Sequence, residues 1–414
     1  MVEKVMSSFR QERAPLLVHL PTEILILIMK YCPNISSLWS LINASSRLKS
    51  IFITVAREVI EYVMTETIPV RITNHMRVAL LIRTSPNSLL DIGNVVKYMS
   101  EEIILGPLQQ NISPQVLENF VELAHTLHGV AHACLDFYIE KTKTLKPQCL
   151  SDTEVQEIYK NWRLPRHKFD GLLGQPYQPK YYGPPSYLEE QTAIRILWRS
   201  QIFIDLKAAC SIGALDHWPE EDQNRLQTMA MLDFLQLLCV PGRSRRFSYE
   251  QEQLFTVVNF VNETTGEQSE AEDALTRFLH RPPAAVYNRG YHLPCLPKPS
   301  PTMERMSGRN VLVDIDSEIG RAQMGWRFHT IMTSDVTKSP LLHFSFKPYR
   351  KLGFAFWQDE RMFDLGFLGP RSERWGMRQS YSLYFTWRSI LTPDEIAEEL
   401  PELSSLFMAH SSAR

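Results

Sequence analysis

At 414 residues the chain is long enough for one large domain or two to three ordinary ones, and its 44% apolar and 22% charged residues allow a sizeable buried core. A formal net charge of −2 argues against a general binder of nucleic acid or anionic membrane, which carries a basic surplus. The six cysteines (Cys32, Cys134, Cys149, Cys210, Cys239, Cys295) lie far apart with no CxxC pair, so they predict neither a zinc site nor a disulfide framework. The polar stretch Met1 to Arg13 is not a signal peptide, and no apolar run approaches the roughly 20 residues that span a bilayer. The expectation is a soluble intracellular protein, cytoplasmic or nuclear, that binds neither nucleic acid nor membrane.

In chain order, residues 1–14 predict a flexible lead and residues 15–60 a compact three-helix module. Helix one is predicted to start at Pro21, whose missing N–H costs nothing at the first helical position. Glu23 sits in its first turn, and Pro33 ends it. Helix two is predicted to be capped by Ser36 or Ser37 and to carry Leu38, Leu41 and Ile42. Helix three, capped by Ser45 or Ser46, carries Leu48, Ile51, Phe52 and Val55 at i, i+3, i+4, i+7.

Residues 61–290 predict a large irregular helical domain, with helices over Asp91–Leu105, Pro114–Lys143, Thr153–Trp162, Leu188–Ala214, Asn224–Leu238, Tyr249–Val261 and Glu270–His280. A turn-rich stretch, Gly171 to Pro185, interrupts them, and no fixed-period repeat supports a solenoid. The proline-rich stretch Leu293 to Pro301 predicts an extended connector. Residues 291–414 predict an aromatic-rich region packing on the helical domain. Val311–Val313, Leu341–Phe346 and Gly353–Trp357 are candidate strands there, and Pro393–Leu400 predicts a last helix. The fold class is therefore mainly α with minor β in the C-terminal part.

Helix one is unusually apolar. Ile24 to Met29 are six apolar residues in succession, which go more than once round a helix of about 3.6 residues per turn. Such a helix needs cover on every side, from the rest of the chain or from a partner. The segment Leu20-Pro21-Thr22-Glu23-Ile24-Leu25, then Ile28 to Pro33, Leu38-Trp39-Ser40-Leu41 and Ala44 to Ile51 resembles the F-box pattern, over about a tenth of the chain. Ser36 and Ser37 stand where that pattern carries an acidic residue. Ala44 replaces its usual valine, and Cys32 a common leucine.

The resemblance implies a helical module docking on a Skp-type adaptor of a cullin–RING ubiquitin ligase. By position it implies Leu20, Pro21, Ile24, Leu25, Ile28, Leu38 and Leu41 as adaptor face or its immediate support, with Glu23 and Lys30 at a polar rim. The body resembles, more loosely, the helical regions of fungal F-box proteins at Arg195–Phe203 and Gly353–Asp359. The functional expectation is a non-catalytic receptor, without cofactor, that recruits a protein target to the ligase. An F-box scaffold with no ubiquitylation role is the alternative.

Other residues carry their own expectations. His125, His128 and His132 share one helical face, with Asp136 four residues further, and would be the ligands of a metal-dependent enzyme. No HExxH glutamate accompanies them, so satisfied or surface histidines are the plainer reading, with no metal expected. Arg243 to Ser248 reads as a basic loop with Ser248 a candidate phosphorylation site, and otherwise as a solvated loop. Asp314 to Glu318 lacks a calcium-loop pattern and reads as a polar edge. Tyr181, Tyr182, Phe344, Phe346, Phe354, Phe356 and Trp357 read as core before recognition surface. No GxGxxG, GxxxxGK or GxSxG element occurs.

Overall fold

The computed structural model describes residues 19–100, 103–151, 153–155, 174–238, 244–267, 271–282, 302–306, 309–313, 323–334, 339, 341, 344–369 and 377–398. The fold is mainly α. In chain order come α1 (Thr22–Lys30), α2 (Ile35–Ile42), α3 (Ser46–Thr67), α4 (Val70–Thr84), α5 (Ile92–Met99) and α6 (Pro114–Lys143). Strands β1 (Gln148–Cys149) and β2 (Gln175–Pro176) pair antiparallel, with Gln148 opposite Pro176. Then follow α7 (Tyr187–Ser211), α8 (Glu220–Thr228), α9 (Met231–Leu237), α10 (Ser244–Thr265) and α11 (Ala271–His280). The hairpin β3 (Thr302–Met306) and β4 (Arg309–Val313) pairs Thr302 with Val313. Helices α12 (Met324–Ser334), α13 (Lys347–Arg350), α14 (Asp359–Asp364) and α15 (Met377–Ser389) complete the series, and residues 393–398 form a short helix.

The chain divides into two compact units, and neither is one stretch of sequence. The first comprises residues 1–133, 190–242 and 272–320, the second 134–189, 243–271 and 321–414. In the first unit α1 and α2 both pack on α3, and α4 packs on α5. Leu25, Met29, Ile35, Leu38, Ile42, Leu48 and Phe52 close the core of the N-terminal helices. The second unit is built round aromatic rings. Trp387 lies 5.0 Å from Tyr349 and 5.1 Å from Phe354, edge to face, an arrangement that aromatic quadrupoles favour. Its indole N–H donates to the Phe367 carbonyl at 3.0 Å, so the buried polar tip is satisfied.

Local chemistry accounts for most boundaries. The Ser45 hydroxyl caps α3 by accepting the Leu48 N–H at 3.2 Å, and Asp91 caps α5 through the Asn94 N–H at 2.5 Å. For α2 the cap is Asn34, whose side chain accepts the Ser37 N–H at 2.8 Å, so Ser36 and Ser37 are already helical rather than caps. Helix α3 runs past the expected module to Thr67, with non-helical dihedrals at Val55. Helix α5 stops at Met99 rather than reaching Leu105. The helix expected over Asn224–Leu238 is two, since Met229 and Ala230 are extended and Asp233 accepts the Ala230 N–H at 3.3 Å, starting α9 afresh.

Some segments differ in type. Val311–Val313 is strand, whereas Gly353–Phe356 forms successive turns and the described residues of Leu341–Phe346 are not strand. Residues 354–357 are all buried, so there is no alternation for a half-buried strand to use. Helices α4, α12, α13, α14 and α15 arise where no helix was expected. Helix α4 is buried nearly all round and rich in Val, Ile and Thr, so it shows neither an amphipathic stripe nor high helix propensity. The connector Leu293–Pro301, the polar stretch Asp314–Glu318 and the lead 1–14 lie outside the described residues.

Candidate functional site: the outer face of the first helix

Helix α1 has two unlike sides. Leu25, Met29 and Cys32 follow one another at four- and three-residue spacing and are buried against the chain's own core. Ile24, Leu27 and Tyr31, at i, i+3 and i+7, are 42%, 46% and 71% exposed. Ile28 lies half-buried between them, and Pro21 is exposed at the head of the stripe. Four apolar side chains in one helical row therefore face outward, within a module whose other side is closed.

Of the residues carried over by position, Ile24 and Pro21 lie on this outer face. Leu20, Ile28 and Leu41 are half-buried, and Leu25 and Leu38 are fully buried and support the face from within. Leu27 and Tyr31 belong to the stripe and were missing from the expected set. Counting i+3 and i+7 from Ile24 finds both of them. Glu23 is exposed at the positive end of the helix dipole.

The surroundings of the stripe are held in place. Arg47 of α3 donates to the Leu20 carbonyl at 2.9 Å, tying the start of α1 down. Lys30 pairs with Glu58 at 2.6 Å, and its ammonium lies 5.8 Å from the centre of the Tyr62 ring. That ring in turn meets Tyr31 edge-on at 5.5 Å. Polar groups thus flank the apolar row at its C-terminal end, as a rim flanks an interface core.

The three histidines of α6 do share a face, and that face is buried. His125 lies 6.1 Å, centre to centre, from the Trp39 ring of α2, and His132 Nε2 lies 2.9 Å from Glu190 Oε1. Neither ring nitrogen of His128 has a hydrogen-bond partner among the described residues. Burial lowers the pKa of both His125 and His128 to about 4, so both rings are neutral at pH 7. Among the described residues no group of three or more His, Cys, Asp or Glu side chains could hold a metal ion. The array is a buried packing face on which His132 is hydrogen-bonded to Glu190.

Ser244 to Ser248 forms the first turns of α10 rather than a loop, and the side chain of Ser248 lies outside the described residues. Phe344, Phe346, Phe354, Phe356 and Trp357 are core, whereas Tyr181 and Tyr182 are exposed. Cys32, Cys134, Cys149 and Cys210 are unbridged. None of the described helices is long and apolar enough to cross a membrane. No protein-family model, curated protein or solved structure matches this chain. The F-box resemblance accordingly rests on the residues of the N-terminal segment.

Proposed function

We propose that the chain is a non-catalytic receptor whose N-terminal module docks on a Skp-type adaptor and brings a protein target to a cullin–RING ubiquitin ligase. The observation that carries this reading is the outward row Ile24, Leu27, Ile28 and Tyr31 on a helix whose opposite side is closed by Leu25 and Met29. An aliphatic row with an aromatic end and a polar flank suits a helix-on-helix contact, in which a few desolvated anchors supply most of the affinity. The pattern Leu20-Pro21-Thr22-Glu23 directly precedes the row, as the resemblance requires.

Co-purification of the full chain with a Skp-type adaptor tests the reading directly. The parent chain is expected to form a stable complex. Ile24→Asp with Leu27→Asp is expected to weaken capture about a hundredfold or more, since central anchors are each worth on the order of 1–2 kcal/mol and a buried unpaired carboxylate adds to the loss. Both side chains are substantially exposed, so the double variant retains its helical circular dichroism. Undiminished capture by that folded variant would overturn the assignment.

A further inference from the structure

In the first unit the backbone of residues 103–106 is paired on one edge and open on the other. Every group on the inner edge is taken. The Ile103 N–H donates to the Lys97 carbonyl of α5 at 3.3 Å, and the Ile103 carbonyl accepts from the side-chain amide of Asn74 at 3.2 Å. The same amide accepts the Leu105 N–H at 2.8 Å, and Arg77 donates to the Leu105 carbonyl at 2.8 Å. One amide that bonds the carbonyl of a residue and the N–H two residues later does what the backbone of a neighbouring strand does in a ladder. Asn74 is 1% exposed and Arg77 is ion-paired with Glu61, so both anchors are themselves held.

Strand alternation then turns the backbone of Ile104 and Gly106 the other way. Neither the N–H nor the carbonyl of either residue has a hydrogen-bond partner among the described residues. Ile103 and Ile104 are 42% and 59% exposed, and Pro107, with no N–H, ends the edge. Leu105 and Gly106 also line a half-open cleft of about 180 Å³, with Leu81 and Ile112 on its apolar wall and Thr84 and Gln109 on its polar one. Unpaired backbone groups flanked by exposed isoleucines are an aggregation liability unless a strand covers them. We infer that residues 104–106 are a docking edge, to which an extended segment of the recruited protein adds as a short strand with one apolar side chain in the cleft. Two residues of edge are too few for a second copy of the chain, since stable interfaces bury on the order of 1,600 Å². The identity of the occupant rests on the receptor reading above; the open edge does not.

Fluorescence polarisation of the full-length chain with a fluorescein-labelled Thr-Val-Leu-Val-Thr peptide tests the edge. Saturable binding is expected. Gly106→Pro removes the outward N–H, while a Cβ at 106 meets nothing within 4 Å and a following proline keeps Leu105 extended. That variant is expected to raise Kd about tenfold, and Gly106→Ala, which retains the N–H, to leave it unchanged. N-methylation of both valines and N-methylation of the leucine block opposite edges of the peptide, so one modified peptide is expected to bind and the other not. Absence of saturable binding to the parent chain would overturn the inference, and so would an unchanged Kd in folded Gly106→Pro. If Gly106→Pro does not fold, the modified peptides decide: equal affinity for the two removes the edge. A doubled sedimentation mass that Gly106→Pro abolishes would assign the edge to a second copy instead. No adaptor is present in the assay, so peptide binding without adaptor capture sinks only the receptor reading, and capture without peptide binding sinks only the docking edge.

Discussion

Glu189 and Arg361 form a fully buried ion pair in the second unit, with the guanidinium 2.9 Å from both carboxylate oxygens and side chains 0% and 2% exposed. Arg361 also donates to the carbonyls of Gly183 and Pro184 at 3.2 and 2.7 Å, while Glu189 accepts the backbone N–H of Ser186 and of Gln358. One pair therefore fastens residues 183–189 to 358–361. Bidentate geometry and filled lone pairs are what make such burial tolerable. Removing one partner leaves the other charged in a dry interior. Glu189→Leu is expected to cost about 3–5 kcal/mol in urea unfolding. Glu189→Leu with Arg361→Met should recover part of that loss, and a double variant as unstable as the sum of two singles would refute the coupling.

At the scale of elements, the turns at 351–356 show why an aromatic run is not always a strand. Gly353 has φ +72°, a left-handed backbone that L-residues with a Cβ rarely adopt. A Cβ there would also lie 2.7 Å from Tyr138 Cβ and 2.9 Å from Trp357 Cζ2. Gly353→Ala is expected to lower stability by about 2 kcal/mol or more, read as a fall in Tm. The glycine bends the chain so that Phe354, Ala355 and Phe356 all reach the core, whereas a straight strand would turn Ala355 to the face opposite the two phenylalanines. The same scale explains α1. Its apolar excess was legible in Ile24 to Met29, but the split into an inner side (Leu25, Met29) and an outer side (Ile24, Leu27, Tyr31) depends on where α3 packs.

Across the whole molecule, buried histidines couple stability to pH. His125 and His128 of the first unit and His329 of the second have pKa values lowered to about 4, and His75 is lowered well below the ordinary value, in each case chiefly by burial. The unfolded chain takes up these protons near pH 6.5, whereas the native state resists them to lower pH, until about pH 4 at His125, His128 and His329. Their contribution is thus complete above pH 6.5 and declines as pH falls through that interval toward 4. The urea midpoint is expected to drop between pH 7 and pH 5. His128→Leu should reduce that drop by on the order of 1–2 kcal/mol. Equal pH sensitivity in both chains would exclude His128 as a contributor.

The sequence by itself determined the mainly helical class, the span Pro114–Lys143, a serine cap at 45 or 46, of which the structure uses Ser45, and the three N-terminal helices. Each of these depends on contacts within a few residues: a period of 3.6, a side chain reaching a nearby N–H, a proline that cannot continue a helix. Tertiary structure alone decided that Val70–Thr84 is a helix, because burial on nearly every side erases the amphipathic stripe by which a helix is read. It also decided that His125, His128 and His132 face inward, and that Leu25 and Leu38 support the candidate docking face instead of forming it. Spacing places side chains on a common face, but whether that face meets core or solvent depends on segments distant in sequence.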